Sequence, residues 1–394
     1  MADLHVEIAG INFKNPLIVA AGTPTLDAKN MIKCIKRGAG GIVAKTVTYA
    51  KIHQIQPRPR FKIIHPEAVD SGFFSLYSVE LMAHLPPEKW VKEIEKVKPI
   101  ARQYDTVLIA SIAGRNLEEW SKLASLMEEA GADMIEINVS CPHVEEDERS
   151  LMGKVAGSDP KVLESIIKAV KESTSLPVIG KLTPQGANPV LMGRIAERAG
   201  IDALVATARF QGLVLDIDSM KPILWGGAGG YGGPWMVPMS CNWVYHLVKS
   251  GVKVPIIGSG GIMNYKDALC FMLLGARAIQ VCTAIIVKGY SVIESIVNGI
   301  NEWLECKGYT SVTEIVGKAV PNVLSLEELD RKSVYKSSID QMRCVACGRC
   351  VECCPYNAIT LDGRRARVIT ELCQGCGLCV SLCPVNAITL VKVS

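Results

Sequence analysis

Charge imbalance is almost missing from this chain: 43 Lys and Arg face 39 Asp and Glu, a net +4 over 394 residues, spread along the sequence. This excludes a broad cationic surface for nucleic acid and a polybasic membrane anchor. No membrane-spanning run is present either. The longest apolar stretch, residues 268–288, is broken by Arg277 and shifts from helix-like to strand-like patterning, whereas a span needs about 20 continuous apolar residues. The N-terminal MADLHVEIAGINFKNP places Asp3 and Glu7 ahead of any apolar run, unlike a secretory or transit peptide, so the mature chain is expected to start here. A strand–Gly-x-Gly-x-x-Gly–helix unit is also lacking, so this chain is not expected to bind FAD or NAD(P) itself. With 49 % hydrophobic residues, 21 % charged residues and 20 prolines, the composition is globular and excludes disorder, collagen and coiled coil.

What is abundant is cysteine, and it is unevenly placed. Nine of the 15 cysteines fall in the last 51 residues, at 344, 347, 350, 353, 354, 373, 376, 379 and 383. A secreted disulfide scaffold would be small and loop-rich throughout; this tail follows a long segment with scattered cysteines, which points to a reducing, cytoplasmic setting. Both Cys344–Pro355 and Cys373–Pro384 contain C-x2-C-x2-C-x3-C-P. Zinc would want four ligands in two separated pairs. The double motif resembles that of bacterial two-cluster ferredoxins, in which three thiolates of one motif and the fourth of the other hold each cubane. The resemblance implies one [4Fe–4S] cluster on Cys344, Cys347, Cys350 and Cys383, and a second on Cys373, Cys376, Cys379 and Cys354. Cys353 is surplus and is expected to pack. Each motif is followed by a strand-like run, Asn357-Ala-Ile-Thr-Leu361 and Asn386-Ala-Ile-Thr-Leu390, as an internal repeat would give.

Upstream, eight short apolar runs alternate with amphipathic segments: residues 16–22, 41–46, 107–112, 134–139, 177–182, 203–207, 254–258 and 278–282. Helix-like stretches such as 117–130, 160–174, 189–199 and 264–274 lie between them. Eight β/α units over this length predict an α/β (β/α)8 TIM barrel followed by a small α+β two-cluster ferredoxin domain. A doubly wound sheet is the competing fold, but Gly22-Thr-Pro-Thr after the first strand is not a nucleotide fingerprint. The expected boundaries are 1–304 for the barrel, 305–341 for a charged, aromatic-poor linker strap, and 342–394 for the ferredoxin domain. In a barrel the active site lies at the C-terminal strand ends. Polar residues stand there where core would be apolar: Lys45 and Thr46, Asn116, Asn138, Ser140 and Cys141, Lys181 and Thr183, Thr207 and Arg209. Gly260, Gly261 and Thr283, after the last two strands, would suit a phosphate held by backbone N–H groups.

Val6-Glu-Ile-Ala-Gly10, Asn15-Pro16, Lys45-Thr46, Ala110-Ser-Ile112, Asn138-Val-Ser-Cys-Pro-His143, Lys181-Leu-Thr-Pro184, Gly260-Gly-Ile262 and Gln280-Val-Cys282 together resemble the pyrimidine-reducing barrel of the dihydropyrimidine dehydrogenases. Wider kin are the class 1 dihydroorotate dehydrogenases. The tail resembles the ferredoxin domain that follows this barrel in the former family. The resemblance implies FMN across the barrel mouth, hydride transfer from its N5 to one carbon of an activated C=C bond, and Cys141 as the acid that protonates the other. A thiol with a pKa near ~8.5 can hold that proton at neutral pH. It further implies catalytic contacts from Asn138 and Ser140, and a flavin site formed by Ala21, Lys45, Thr46, Asn116, Asn138, Lys181, Thr207, Gly233, Gly260, Gly261, Cys282 and Thr283. Asn116, Asn138 and Ser140 are also expected to meet the substrate. His143 is a second candidate on the Cys141 loop.

One departure concerns the substrate. The family's pyrimidine readers include an Asn-Thr pair after strand six, and here Ala208 and Arg209 take those places. Arg209 suggests an anion gripped in bidentate fashion, or else an ion pair with an acid such as Asp216. Trp225-Gly-Gly-Ala-Gly-Gly-Tyr-Gly-Gly-Pro-Trp235 is expected to bring glycines to the flavin and tryptophans to the pocket. The family default is therefore uracil or thymine reduction, and the alternative is the same chemistry on an anionic non-pyrimidine. Electrons would enter through the clusters from a partner subunit carrying FAD and NAD(P), or from a soluble ferredoxin, in a homodimer or heterotetramer. A bare electron-transfer subunit and a tRNA-uracil reductase are the other readings, the latter lacking a basic RNA-binding module.

Overall fold

Eight aliphatic runs form the staves of one closed parallel barrel: β1 (Leu17–Val19), β2 (Gly41–Val47), β3 (Val107–Ile112), β4 (Met134–Asn138), β5 (Val178–Lys181), β6 (Ala203–Ala206), β7 (Ile256–Ser259) and β8 (Ala278–Val281). Each pairs with the next in sequence, and β8 returns to β1. The structure, a computed structural model, describes residues 1–140 and 151–393, apart from the side chains of Lys154, Val155 and Trp225. Parallel strands covered on both faces are near-continuous apolar runs, and β1, β3 and β6 are buried along their whole length.

The outer helices start at side-chain caps. Asp159, Asn188 and Asn264 each accept backbone N–H groups at the heads of Pro160–Ser173, Pro189–Arg198 and Tyr265–Leu273, satisfying donors that have no partner within the helix. Leu117–Glu129 buries Trp120, Leu123, Ala124 and Met127, one stripe at helical spacing against the barrel. No helix among the described residues is long and apolar enough to cross a membrane.

Two loops at the C-terminal strand ends carry a lobe. Phe61–Ile64 and Ser75–Ser78 follow β2, Phe210–Gly212 and Gly229–Gly232 follow β6, and the four make an antiparallel sheet with Gly229–Gly232 and Ser75–Ser78 in its centre. The glycine-rich segment expected at the flavin is this central strand. A Cβ at Gly229 would lie 2.7 Å from the Ser78 carbonyl oxygen, and one at Gly212 2.8 Å from Tyr231 Cβ, so these glycines serve close strand packing. Trp235 donates its Nε1 hydrogen to Ser75 Oγ at 3.0 Å and packs on Phe210 and Tyr231, so it belongs to the lobe and not to the pocket wall.

The chain divides into two units, Met1–Pro321 and Asn322–Ser394. Residues 305–321 lie with the barrel, where Val312 and Ile315 join its core. In the second unit Tyr335–Ile339 pairs with Ile388–Lys392, and Ile359–Asp362 with Arg365–Val368. Its two halves repeat their backbone: Gly348 and Gly377 have φ of 78° and 81°, and Asn357 and Asn386 both have 49°. Cys350, Ile359, Ala366, Cys379 and Ile388 form its small core.

Candidate active site and cluster sites

The cleft opens where the barrel strands end. Every strand end from β1 to β8 except that of β3 contributes to its wall. The register places Asn138 of β4 directly beside Lys181 of β5, and Ser259 of β7 beside Gln280 of β8. The pairing of β2 with β3 slips between Ala44 and Val47. Such an irregularity re-aims side chains, and here both Lys45 and Thr46 turn into buried positions lining the cleft.

Two lysines stand on opposite sides, each with its own carboxylate. Lys45 Nζ lies 2.9 Å from Glu80 Oε1, which also accepts from Thr23 Oγ1 at 2.6 Å. Burial opposes ionisation of Glu80, yet Lys45, Arg209 and the Thr23 hydroxyl hold its carboxyl below the usual range. Lys181 Nζ donates to Gln280 Oε1 at 2.8 Å and lies 3.6 Å from Glu136 Oε1, while Gln280 Nε2 donates to Glu136 Oε2 at 2.6 Å. A polar chain crosses the floor: Ser140 Oγ donates to Asn138 Oδ1 at 3.0 Å, Asn138 Nδ2 donates to Thr46 Oγ1 at 3.0 Å, and Thr46 Oγ1 is 2.9 Å from Ser111 Oγ.

Of the expected site residues, Ala21, Lys45, Thr46, Asn138, Ser140, Lys181, Thr207, Arg209, Gly260, Gly261, Cys282 and Thr283 converge on this one cleft. Asn116 does not. It is exposed and caps Leu117–Glu129, its Oδ1 accepting the Glu119 N–H at 2.9 Å. Gly233 is buried just outside the lining, its carbonyl oxygen packed on Gly261. Asp216 does not pair with Arg209; its carboxylate accepts the Ser219 N–H at 2.8 Å. Cys141 and His143 lie outside the described residues, as does the Trp225 side chain. Sequence reasoning missed Glu80, Glu136 and Ser78. Glu136, two residues before Asn138 in an otherwise apolar strand, carried a readable signal, since a charge in a doubly covered strand needs a partner.

Other features of the cleft point to a bound group. Thr207 Oγ1 is buried with no hydrogen-bond partner among the described residues, an arrangement that folding alone does not favour. Gly260 and Gly261 have φ of 118° and 82°, left-handed values that keep the loop after β7 free of side chains beside the cleft. Burial, with Glu80 close by, pushes the Cys282 thiol up to about 11 against the pull of Arg209, Lys45 and Lys181, so it faces the cleft as a neutral group.

In the second unit, Cys344, Cys347, Cys350 and Cys383 line one small cavity. Ala387 N–H donates to Cys383 Sγ at 3.2 Å, and its counterpart in the other half, Ala358 N–H, to Cys354 Sγ at 3.3 Å. Ser337 N–H donates to Cys373 Sγ at 3.4 Å, and Ser337 Oγ is 3.2 Å from Cys379 Sγ. Hydrogen bonds of this kind tune the potential of a cluster held by such sulfurs. Cys353 lies outside the cavity lining, its thiol donating to the Cys350 carbonyl at 3.7 Å.

Residues 3–304 match the family model described as dihydroorotate dehydrogenase, and residues 337–390 match a 4Fe-4S dicluster domain. The chain is 33 % identical over 360 residues to the NAD-dependent dihydropyrimidine dehydrogenase subunit PreA of Escherichia coli (strain K12), covering 89 % of this chain and 85 % of that protein. It is 36 % identical over 316 residues to the dihydroorotate dehydrogenase B (NAD(+)), catalytic subunit, of Pyrococcus furiosus, covering 80 % of this chain and 98 % of that one. The corresponding subunit of Caldicellulosiruptor bescii is 36 % identical over 315 residues, with the same coverage of 80 % and 98 %.

Proposed function

The chain belongs to the dihydroorotate dehydrogenase family, and from that premise we propose that it reduces an activated C=C bond in a small molecule, a pyrimidine ring being the class carried by the name of its Escherichia coli relative. It is an iron–sulfur flavin oxidoreductase, with FMN in the barrel and two [4Fe–4S] clusters in the dicluster domain. The cleft suits FMN in its two lysines and in its unsatisfied Thr207 hydroxyl. Lys45 and Lys181 would take the electron-rich edge of the ring, Thr46, Asn138 and Cys282 its surroundings, and the loops at Gly260, Gly261 and Thr283 the phosphate, with Ala21 and Thr207 completing the wall. FMN, when bound, supplies the hydride for one carbon of the double bond.

The remaining chemistry falls to side chains. Cys141 would deliver the proton to the second carbon, holding it at its thiol until the double bond is positioned. The observation that carries this reading is the polar chain through Ser140, Asn138, Thr46 and Ser111. It fixes the residue before Cys141 against the cleft floor, with Asn138 paired beside Lys181. Both Asn138 amide groups are engaged, so its orientation is set before a substrate arrives.

Electrons would reach the barrel through the clusters on Cys344, Cys347, Cys350 and Cys383 and on Cys373, Cys376, Cys379 and Cys354. The donor would be a partner subunit binding FAD and NAD(P), since the Escherichia coli relative is named as the subunit of an NAD-dependent enzyme, and a soluble ferredoxin is the other source. Nine cysteines concentrated in the cluster motifs of the tail suit a reducing cytoplasmic setting. The test is anaerobic. Purified holoprotein is reduced with dithionite, and flavin reoxidation is followed as uracil, thymine and unsaturated carboxylates are added. Reoxidation that Cys141→Ala abolishes supports the reading; reduced flavin that persists with every acceptor would leave an electron carrier.

A further inference from the structure

The two halves of the dicluster unit repeat each other cysteine for cysteine, and each brings one thiol to the surface, Cys347 in the first half and its counterpart Cys376 in the second. What surrounds these thiols differs. Arg343 and Arg349 of the first half stand where the second has Leu372 and Leu378, and all four residues are exposed. Arg349 lines the cavity of Cys344, Cys347, Cys350 and Cys383. From residue 342 onward the chain has five arginines, Arg343, Arg349, Arg364, Arg365 and Arg367, every one of them exposed and in the first half. Residues 342–368 contain no lysine, and Glu352 and Asp362 are their only acids. The hairpin of Ile359–Asp362 and Arg365–Val368 keeps the last three arginines beside the same cluster site. Its Ala366 lines that cavity and accepts from Gln341 Nε2 at 2.9 Å, and a Cβ at Gly348 would lie 3.9 Å from its Leu361.

Folding does not account for this concentration of charge. Arg343 lies 3.6 Å from Asp340 and Arg367 3.2 Å from Asp362, both pairs in solvent, where an ion pair adds little to stability. Arg349, Arg364 and Arg365 have no carboxylate in ion-pair contact among the described residues. A cubane on four thiolates is anionic, so an acidic protein approaching a bare cluster is repelled; guanidinium groups around it reverse the sign of that surface. Arginine is also the cation that protein interfaces favour over lysine, because its planar fork takes carboxylates in bidentate fashion. Met342 and Val345, 93 % and 61 % exposed, give the collar a small apolar centre. A small apolar centre within a charged rim suits the short-lived encounter of an electron carrier, whereas a permanent subunit would want a larger and more apolar face.

We propose that the cluster on Cys344, Cys347, Cys350 and Cys383 is the electron entrance, and that its arginine collar docks a small soluble electron-carrier protein whose own redox centre is ringed by carboxylates. The step moves one electron from the reduced carrier to the oxidised cluster; no bond forms or breaks, and two such transfers supply the electrons of one hydride. The leucines at the matching places give the second cluster no charge with which to recruit such a carrier. The proposal rests on the reading that electrons reach the barrel through the clusters, and the identity of the substrate does not enter it.

Oxidised holoprotein is titrated calorimetrically with an oxidised plant-type [2Fe–2S] ferredoxin, a small acidic carrier, first at low salt and then at physiological ionic strength, where the screening length has shrunk to about 8 Å. Binding should weaken as salt rises, and at low salt it should weaken about 10-fold in Arg343→Gln/Arg349→Gln. Arg343→Lys/Arg349→Lys, which keeps the charge, should recover most of it. Because Arg349 lines the cluster cavity, Arg364→Gln/Arg365→Gln, neither of which lines it, is measured beside it; this variant should also bind less tightly, and both should keep the iron content of the wild type. Leu372→Gln/Leu378→Gln should bind as the wild type does. With reduced ferredoxin, bleaching of the cluster absorbance should slow in the arginine variants, while reduction by the methyl viologen radical, a small cation, should not. Absence of binding, binding indifferent to salt and to both glutamine variants of the arginines, or binding lost in the leucine variant instead, overturns the proposal. In those cases acceptor-driven reoxidation of dithionite-reduced flavin would leave the reductase reading intact. Arginine-dependent docking and cluster reduction, with flavin that no acceptor reoxidises, would uphold the entrance while sinking the reductase reading.

Discussion

Lys45 and Glu80 form an ion pair of 2.9 Å whose side chains are only 6 % and 4 % exposed, one supplied by the end of β2 and the other by the loop behind the lobe strand Ser75–Ser78. The pair fastens the lobe to the barrel mouth. Glu80→Gln strands a buried ammonium, and removal of one partner from a buried pair costs about 3–5 kcal/mol. Denaturant unfolding should show that loss. A Lys45→Met/Glu80→Leu double variant, which removes both charges, should recover most of the stability yet retain less FMN; equal stability losses in the single and double variants would contradict the pairing.

The same pair sets an acid dependence. The folded pKa of Glu80 lies below its ordinary value, so its contribution to stability is fully present above the unfolded glutamate pKa of about 4.3 and is lost as pH falls through the folded value. Unfolding midpoints measured from about pH 6 down to about pH 3 should fall less steeply in Glu80→Gln than in the wild type. Parallel acid limbs would show that other carboxylates carry the transition.

Asn116→Ala separates a helix cap from a ligand contact. The side chain caps Leu117–Glu129 through Glu119 N–H at 2.9 Å, so the variant should lose about 1 kcal/mol of stability. FMN content and substrate affinity should match the wild type; a fall in either would return Asn116 to the site.

The barrel was legible because its signal is local. A strand buried on both faces is mostly apolar, and β1 to β8 announce themselves as short apolar runs, broken by polar residues chiefly towards their C-terminal ends, without reference to one another. The lobe was not legible, since Ser75–Ser78 and Gly229–Gly232 are four residues each, the second beginning 151 positions after the first ends, and only their pairing explains the glycines. Glu80 was missed for the same reason: Val79-Glu-Leu81 reads as ordinary alternation until Lys45 is brought to it. Asn116 was misread although its signal was present, Asn116-Leu-Glu-Glu119 being an N-cap with an acid at the third helical position. Family likeness supplied a role where local capping chemistry accounted for the residue.

The thiols can be sorted by iron content. Cys344→Ala removes one of the four cysteines that line the cavity proposed for the first cluster and should lower iron and labile sulfide by about half. Cys353→Ala, whose thiol only donates to a carbonyl, should leave both unchanged. Equal losses in the two variants would reassign the surplus cysteine as a ligand.

Gln280 lies between Lys181 and Glu136, accepting from the first at 2.8 Å and donating to the second at 2.6 Å. Lys181 and Glu136 themselves are 3.6 Å apart, farther than Lys45 and Glu80, so the glutamine acts as a spacer that leaves the ammonium available to the cleft. In Gln280→Leu the lysine loses its acceptor and the shortest route to a new one is Glu136, so the ammonium should be drawn inward and neutralised there. Two buried polar groups lose a partner, at about 1–3 kcal/mol each, and the cation that would hold FMN is withdrawn. Dialysed protein should therefore retain less FMN than the wild type. Adding Glu136→Leu removes the competing carboxylate and should restore FMN retention even if stability stays low; a double variant that still sheds FMN would show that the glutamine itself, and not the position of Lys181, holds the cofactor.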